Sequence, residues 1–200
     1  MKVRALVLSS AALIASALLV ACSSGKAAER GSSAAPSKAE ASKVASFYPL
    51  GVGNEWTYDL TGPGGQKKQE TIKIVKHEAG WFVDDHRGKL RVDAEGLRDA
   101  DRYLLRGPIE AGAKWTAIED LVVQKFEITS ADAAEVTPAG TFLHCVTVRN
   151  EQPLGPKKGK FITEWSYAPG VGLVRMKTSV EDGGQTLPQM SLGLVSFRLK

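Results

Sequence analysis

From Phe47 onward, apolar and polar side chains alternate in short runs broken by Gly, Pro and Asp. Thr71-Ile72-Lys73-Ile74 alternates strictly. So does Leu194–Lys200, where Val195, Phe197 and Leu199 fall on one side and Ser196, Arg198 and Lys200 on the other. A period of two with one wet face is the pattern of antiparallel strands. Gly80, Gly88 and Gly96 punctuate a predicted meander of Lys67–Glu78, Trp81–Asp85, Lys89–Asp93 and Leu97–Arg106. Gln152–Gly159, with two prolines and two glycines, reads as a loop, and beyond residue 46 the pattern offers no amphipathic helix other than a short one near Ser130–Glu135. The fold class expected is mainly β.

A repeat sharpens this. Pro49-Leu50-Gly51-Val52-Gly53-Asn54-Glu55-Trp56-Thr57 is echoed 59 positions later by Pro108-Ile109-Glu110-Ala111-Gly112-Ala113-Lys114-Trp115-Thr116. Ala79-Gly80-Trp81-Phe82-Val83 is echoed by Ala139-Gly140-Thr141-Phe142-Leu143, one residue out of step. Two related β-units, 47–106 and 107–200, each have an apolar face that neither covers alone. Joined, they make a sandwich, a half-barrel or a curved sheet closing toward a barrel.

The first 46 residues follow other rules. Behind Lys2 and Arg4, Ala5–Ala21 is apolar apart from three serines, short for a membrane span and long enough for an export signal. Leu19-Val20-Ala21-Cys22 at its end resembles the lipobox of bacterial lipoprotein signal peptides. That resemblance implies cleavage of residues 1–21, acylation of Cys22 and, with Ser23 following, passage to the outer membrane in a Gram-negative host. Two or three acyl chains hold a protein to a bilayer effectively permanently. Residues 22–46 are Ala, Ser, Gly, Lys and Glu with one Val and no aromatic, a composition expected to stay a flexible tether with a reach of roughly 27 Å. An Ala-rich helix around Ala34–Val44 is the alternative.

Charge removes one class of function. Lys and Arg total 26 against 22 Asp and Glu, but the excess lies in the leader and tether, leaving 20 of each sign over residues 47–200. A nucleic-acid partner is therefore not expected, because binding phosphates needs a cation surplus. Tyr48-Pro49-Leu50 through Trp56-Thr57-Tyr58, Pro138-Ala139-Gly140-Thr141-Phe142 with Cys145, and Tyr167-Ala168-Pro169-Gly170-Val171-Gly172-Leu173-Val174 resemble recurring signatures of a broad group of bacterial secreted proteins and lipoproteins. The resemblance implies an antiparallel β-domain in the cell envelope and no catalytic residues; more distantly, the layout is similar to the half-barrels of lipoprotein carriers.

Candidate chemistry is sparse. The sequence holds no Gly-Xaa-Ser-Xaa-Gly elbow, phosphate-binding loop or His-Glu-Xaa-Xaa-His. Asp84-Asp85-His86, with His77 added, is the densest set of ligand types, but an Ala79-Gly80 turn pairs His77 with Phe82, away from Asp85, and a continuing strand points Asp84 and Asp85 to opposite faces. No metal or cofactor is expected. In Phe142–Val148, Phe142, His144, Val146 and Val148 share one side and Leu143, Cys145 and Thr147 the other, so Cys145 reads as a packed thiol without a base. Lys157-Lys158-Gly159-Lys160 is a basic loop tip that a solvated loop or an anionic surface would explain. Trp56, Trp81, Trp115 and Trp165 are either core or the lining of a cleft. The function expected is a non-catalytic binding or accessory module in the envelope, anchored through Cys22, with a hydrophobic ligand or an envelope protein as partner. A structural part in an envelope assembly is the alternative, and an exported enzyme or redox protein would have only Asp84, Asp85, His86 and Cys145 to draw on. An apolar cavity of about 300 Å³ or more lined by Trp and Leu favours ligand carriage; a filled core favours the structural role.

Overall fold

The computed structural model describes residues 38–119, 121–155 and 159–200. The leader, Cys22 and the first part of the tether lie outside them, as do Pro156, Lys157 and Lys158. Twelve strands form one antiparallel sheet: β1 (Glu55–Thr61), β2 (Lys67–Glu78), β3 (Trp81–Asp84), β4 (Lys89–Val92), β5 (Gly96–Arg98), β6 (Tyr103–Arg106), β7 (Lys114–Glu119), β8 (Val122–Thr137), β9 (Gly140–Pro153), β10 (Lys160–Ala168), β11 (Gly172–Asp182) and β12 (Gln185–Arg198). The order β6-β5-β4-β3-β2-β1-β12-β11-β10-β9-β8-β7 joins chain neighbours everywhere except β1 to β12. The sheet curls into a nearly closed barrel, and its ends, β6 and β7, are the strands where the two related units meet.

Side chains fasten that seam. The indole of Trp115 on β7 donates to the carbonyl of Tyr103 on β6 at 3.0 Å. Arg102, just before β6, reaches Glu119 at 2.9 Å and Gln124 at 2.7 Å, and Gln124 also donates to Glu119. Within the barrel Trp56, Tyr58, Phe126, Tyr167 and Leu194 meet, each no more than 2% exposed. Burial drives the Tyr58 and Tyr167 phenols well above their ordinary values, so both stay neutral.

The sequence echo has a counterpart in the backbone hydrogen bonds. Gly53 N–H donates to Ile74 O and Ile74 N–H to Asn54 O, at 2.8 and 2.9 Å; Gly112 and Ala113 bracket Ile128 with the same pair of bonds, at 2.7 and 2.9 Å. Both glycines have φ near +90°, at 93° and 89°, a region costly for any residue with a Cβ. The turns Ala79-Gly80 and Pro138-Ala139 also correspond at 59 positions, closing Glu78↔Trp81 and Thr137↔Gly140; the sequence echo of their glycines is a residue off because Gly80 lies in its turn and Gly140 begins a strand.

Four local expectations change. Residues 38–46, read as the end of the tether, form helix α1 (Lys38–Ser46). So short a helix is marginal alone, but Val44 is fully buried, Phe47 and Tyr48 follow it into the core, and Ser46 O accepts from Gly170 N–H at 2.6 Å. The single Val suffices because the surface it docks on is already built. Second, Leu97–Arg106 is two strands, since Asp99 Oδ1 accepts from Asp101 and Arg102 N–H at 2.9 and 2.8 Å and turns the chain. Third, Ser130–Glu135 is not helical but part of β8, where register shifts between Ile128 and Glu135 bend the strand. Fourth, a bulge beside Thr57 skips Val195, so that Leu194 faces Tyr58 in the core, while Phe197, opposite Trp56, is 41% exposed.

Candidate binding surface

One narrow cleft opens against the core residue Trp56. Bordered also by Ile72, Ile74, Phe82, Leu90 and Leu104, it measures about 210 Å³, under the roughly 300 Å³ at which ligand cavities begin. A cleft of about 400 Å³ adjoins it, lined by Tyr48, Leu50, His77, Phe82 and Arg91, and two more lie on β7, β8 and β9. Register places Thr116, Lys125 and Glu151 in one row across these strands and Lys114, Glu127 and Arg149 in the next. These rows, with Arg106 from across the seam, border a cleft of about 540 Å³. A second cleft of about 460 Å³ runs on toward the rim, lined by Leu121, Val122, Val123, Pro153 and Lys160, and shares Lys125 and Glu151 with the first. Adjoining at Lys125 and Glu151, they make a trough whose first part is bordered mainly by charged side chains and whose second adds Leu121, Val122, Val123 and Pro153.

The charges in the trough are organised. Arg149 contacts Glu151 at 3.2 Å, Glu164 at 3.5 Å and Glu181 at 3.6 Å. Lys160 meets Glu151 at 2.8 Å; that hydrogen bond, with the guanidinium of Arg149, holds the Glu151 carboxyl below its ordinary value. Lys114 pairs with Glu127 at 3.3 Å and Arg106 with Glu95 at 2.6 Å. Lys125, exposed between these pairs, enters no ion pair among the described residues. The rim is unusual in the other direction: Leu121 is 97% exposed and Ile118 71%.

The four tryptophans do not gather around one site. Trp56 is 1% exposed and donates to Val171 O at 2.7 Å. Trp115 is 6% exposed and stacks on Phe126, ring centroids 5.4 Å apart. Trp165 packs against the core from its edge, on the far side of Phe126. Trp81 lies half-buried under the Arg91 guanidinium, 4.6 Å from its ring centroid. Of the residues the sequence marked, Trp115 and Lys160 line the trough; most of the others are ordinary strand positions, brought into rows by the β7–β9 register.

Asp84, Asp85 and His86 do come together, their ligand atoms within 4.8 Å of one another. The expectation of opposite faces fails because β3 ends at Asp84. Asp84 Oδ1 accepts from the His86 and Gly88 N–H groups at 2.9 and 2.7 Å, and Asp85 Oδ1 accepts from Lys73 N–H at 2.9 Å. The carboxylates build a turn. Gly88 is part of it, since a Cβ there would meet Asp84 Oδ2 at 2.3 Å. His77 stands apart, stacked on Phe82 at 4.3 Å in the register expected.

Cys145 is fully buried. Burial, aided by the Glu135 charge, pushes its thiol up to about 11. The side assignment around it needs correcting: His144 adopts φ 57°, which breaks the alternation and turns Cys145 and Val146 both inward. His144 faces solvent and pairs with Asp132 at 2.7 Å.

No protein-family model matches the chain, and no curated protein matches it in sequence. Solved structures resemble it in shape. A Bacteroides fragilis protein described as exported with a YmcC-like fold superposes with a TM-score of 0.48 at 16% identity, over 76% of this chain and 99% of its own. A protein of Parabacteroides distasonis described as a lipoprotein gives 0.45 at 14% identity, over 76% and 98%. The hypothetical lipoprotein YmcC of Escherichia coli gives 0.38 at 11% identity, over 80% and 90%.

Proposed function

We propose that this chain is a lipoprotein of the bacterial cell envelope, tied to the membrane by acyl groups on Cys22, and that its β-domain is a non-catalytic binding module. The anchor rests on Leu19-Val20-Ala21-Cys22 standing between an apolar run and a polar segment. The binding half rests on one observation: a cleft of about 540 Å³ on β7–β9 is bordered by four cationic side chains and two carboxylates. Its partner meets the outside of the barrel. Outer-membrane delivery follows from Ser23 in a host that has such a membrane.

Cys22→Ala tests the anchor. The variant should remain uncleaved or move to the soluble fraction, and mass spectrometry of the mature wild-type protein should find Cys22 acylated at its amino terminus. A correctly cleaved, membrane-bound variant, or an unmodified Cys22 in the wild type, refutes it.

A further inference from the structure

We infer that the trough on β7–β9 holds a single anionic lipid molecule, its headgroup against Lys125 and its acyl chain along Val123, Pro153 and Leu121. This rests on the reading of the domain as a binding module and gives that module a ligand class. Three observations converge. The two clefts share Lys125 and Glu151, so they adjoin side by side. Its charged end has four cationic side chains, Arg106, Lys114, Lys125 and Arg149, against two carboxylates, Glu127 and Glu151. Three of those cations already hold carboxylates, which leaves Lys125 free to meet an added anion.

The other part adds apolar side chains, and the direction of the strands sets the distance between the two. Val123 lies two residues beyond Lys125 and four beyond Glu127, about 13 Å from the Lys114–Glu127–Arg149 row at strand rise. Past it stands Leu121, 97% exposed. A small anion would use only the first cleft and a neutral hydrocarbon only the second; an acyl chain ending in a phosphate or carboxylate uses both. A sugar polymer would leave the apolar side chains uncovered.

The test uses the mature chain with Cys22→Ser, so that no acyl group of its own competes, titrated calorimetrically with monomeric lysophosphatidylglycerol, lysophosphatidylcholine and inorganic phosphate. The anionic lysolipid should bind at least about tenfold more tightly than the zwitterionic one, and phosphate alone should not register. Lys125→Glu should erase the preference for the anionic lipid, and Val123→Asp should weaken both lipids by about tenfold. Both positions are exposed, and circular dichroism confirms that each variant folds. Equal affinity for the two lysolipids, with Val123→Asp weakening both, overturns the ligand class and leaves the binding module standing. Binding of neither lysolipid brings down both. Binding to phosphatidylglycerol vesicles without binding of the monomer also overturns the inference, because the surface then docks on a membrane and holds no lipid.

Discussion

Trp56 and Trp115 open two hairpins that begin alike and are used differently. Each follows a glycine near φ +90°, each faces a residue two before the isoleucine that this glycine bonds, and each buries its indole. β1 then finds neighbours on both sides, β2 and β12, while β7 has β8 alone. Trp56 therefore serves as a wall of a packed interior, its N–H spent on the Val171 carbonyl. The same indole atom of Trp115 crosses to Tyr103 and fastens the seam. The local motif specifies how a hairpin starts; the position of the strand in the sheet decides what its tryptophan does. The outer trough accompanies the second hairpin because an end strand leaves its outer rows uncrowded.

The comparison can be broken at its strongest point first. Trp56→Ala should destabilise the domain by about 4 kcal/mol, the cost of emptying a large aromatic site, whereas Trp115→Phe, which keeps most of the ring, should cost about 1 kcal/mol for the lost bond to Tyr103. Denaturant unfolding measures both, and equal losses would mean that the two hairpins carry the same load. Next in size, Arg102→Met should cost about 2 kcal/mol by leaving the nearly buried Gln124 and its partner Glu119 without their cation. It should also speed amide exchange in β6 and β7 ahead of β1 and β12; uniform exchange would show that Arg102 does not close the seam.

The smallest effect tests the shared beginning. Gly53→Ala and Gly112→Ala should each cost about 1 kcal/mol from backbone strain. A new Cβ at Gly112 meets open space, while at Gly53 it would strike the Lys200 side chain within 2.8 Å. That lysine end can swing aside, so the two costs should agree to within a few tenths of a kcal/mol once Lys200→Ala is added to the first. A large residual difference would show that the repeat is an accident of sequence and not a shared structural device.

Much of the architecture was legible because strands announce themselves by period two and their turns by glycine. The meander from Lys67 to Arg106, apart from the division of its last strand, and the Glu78↔Trp81 register were readable. What escaped were departures from periodicity. The positive φ of His144 and the bulge at Val195 each move one residue and thereby exchange the faces of those around it. Helix α1 (Lys38–Ser46) overlaps the Ala-rich helix weighed around Ala34–Val44 as the alternative to a tether; composition could not decide between the two because the helix is held by where Val44 lands. The trough was illegible for a related reason: Lys114, Glu127 and Arg149 are scattered over three segments, and only pairing aligns them. In Asp84-Asp85-His86, the cluster most visible in the chain, the two carboxylates accept from backbone N–H groups of the turn and of β2.

The joining of β1 to β12 has a bearing on how the molecule comes into being. The Glu55–Arg198 contact spans 143 positions, so a polypeptide emerging amino-terminus first presents its earliest strand with one bare edge until nearly everything else has appeared. Such an edge invites pairing with other chains. Loss of β12 would injure the start of the domain first, and the edge of β1 is covered only when residues 191–198 arrive.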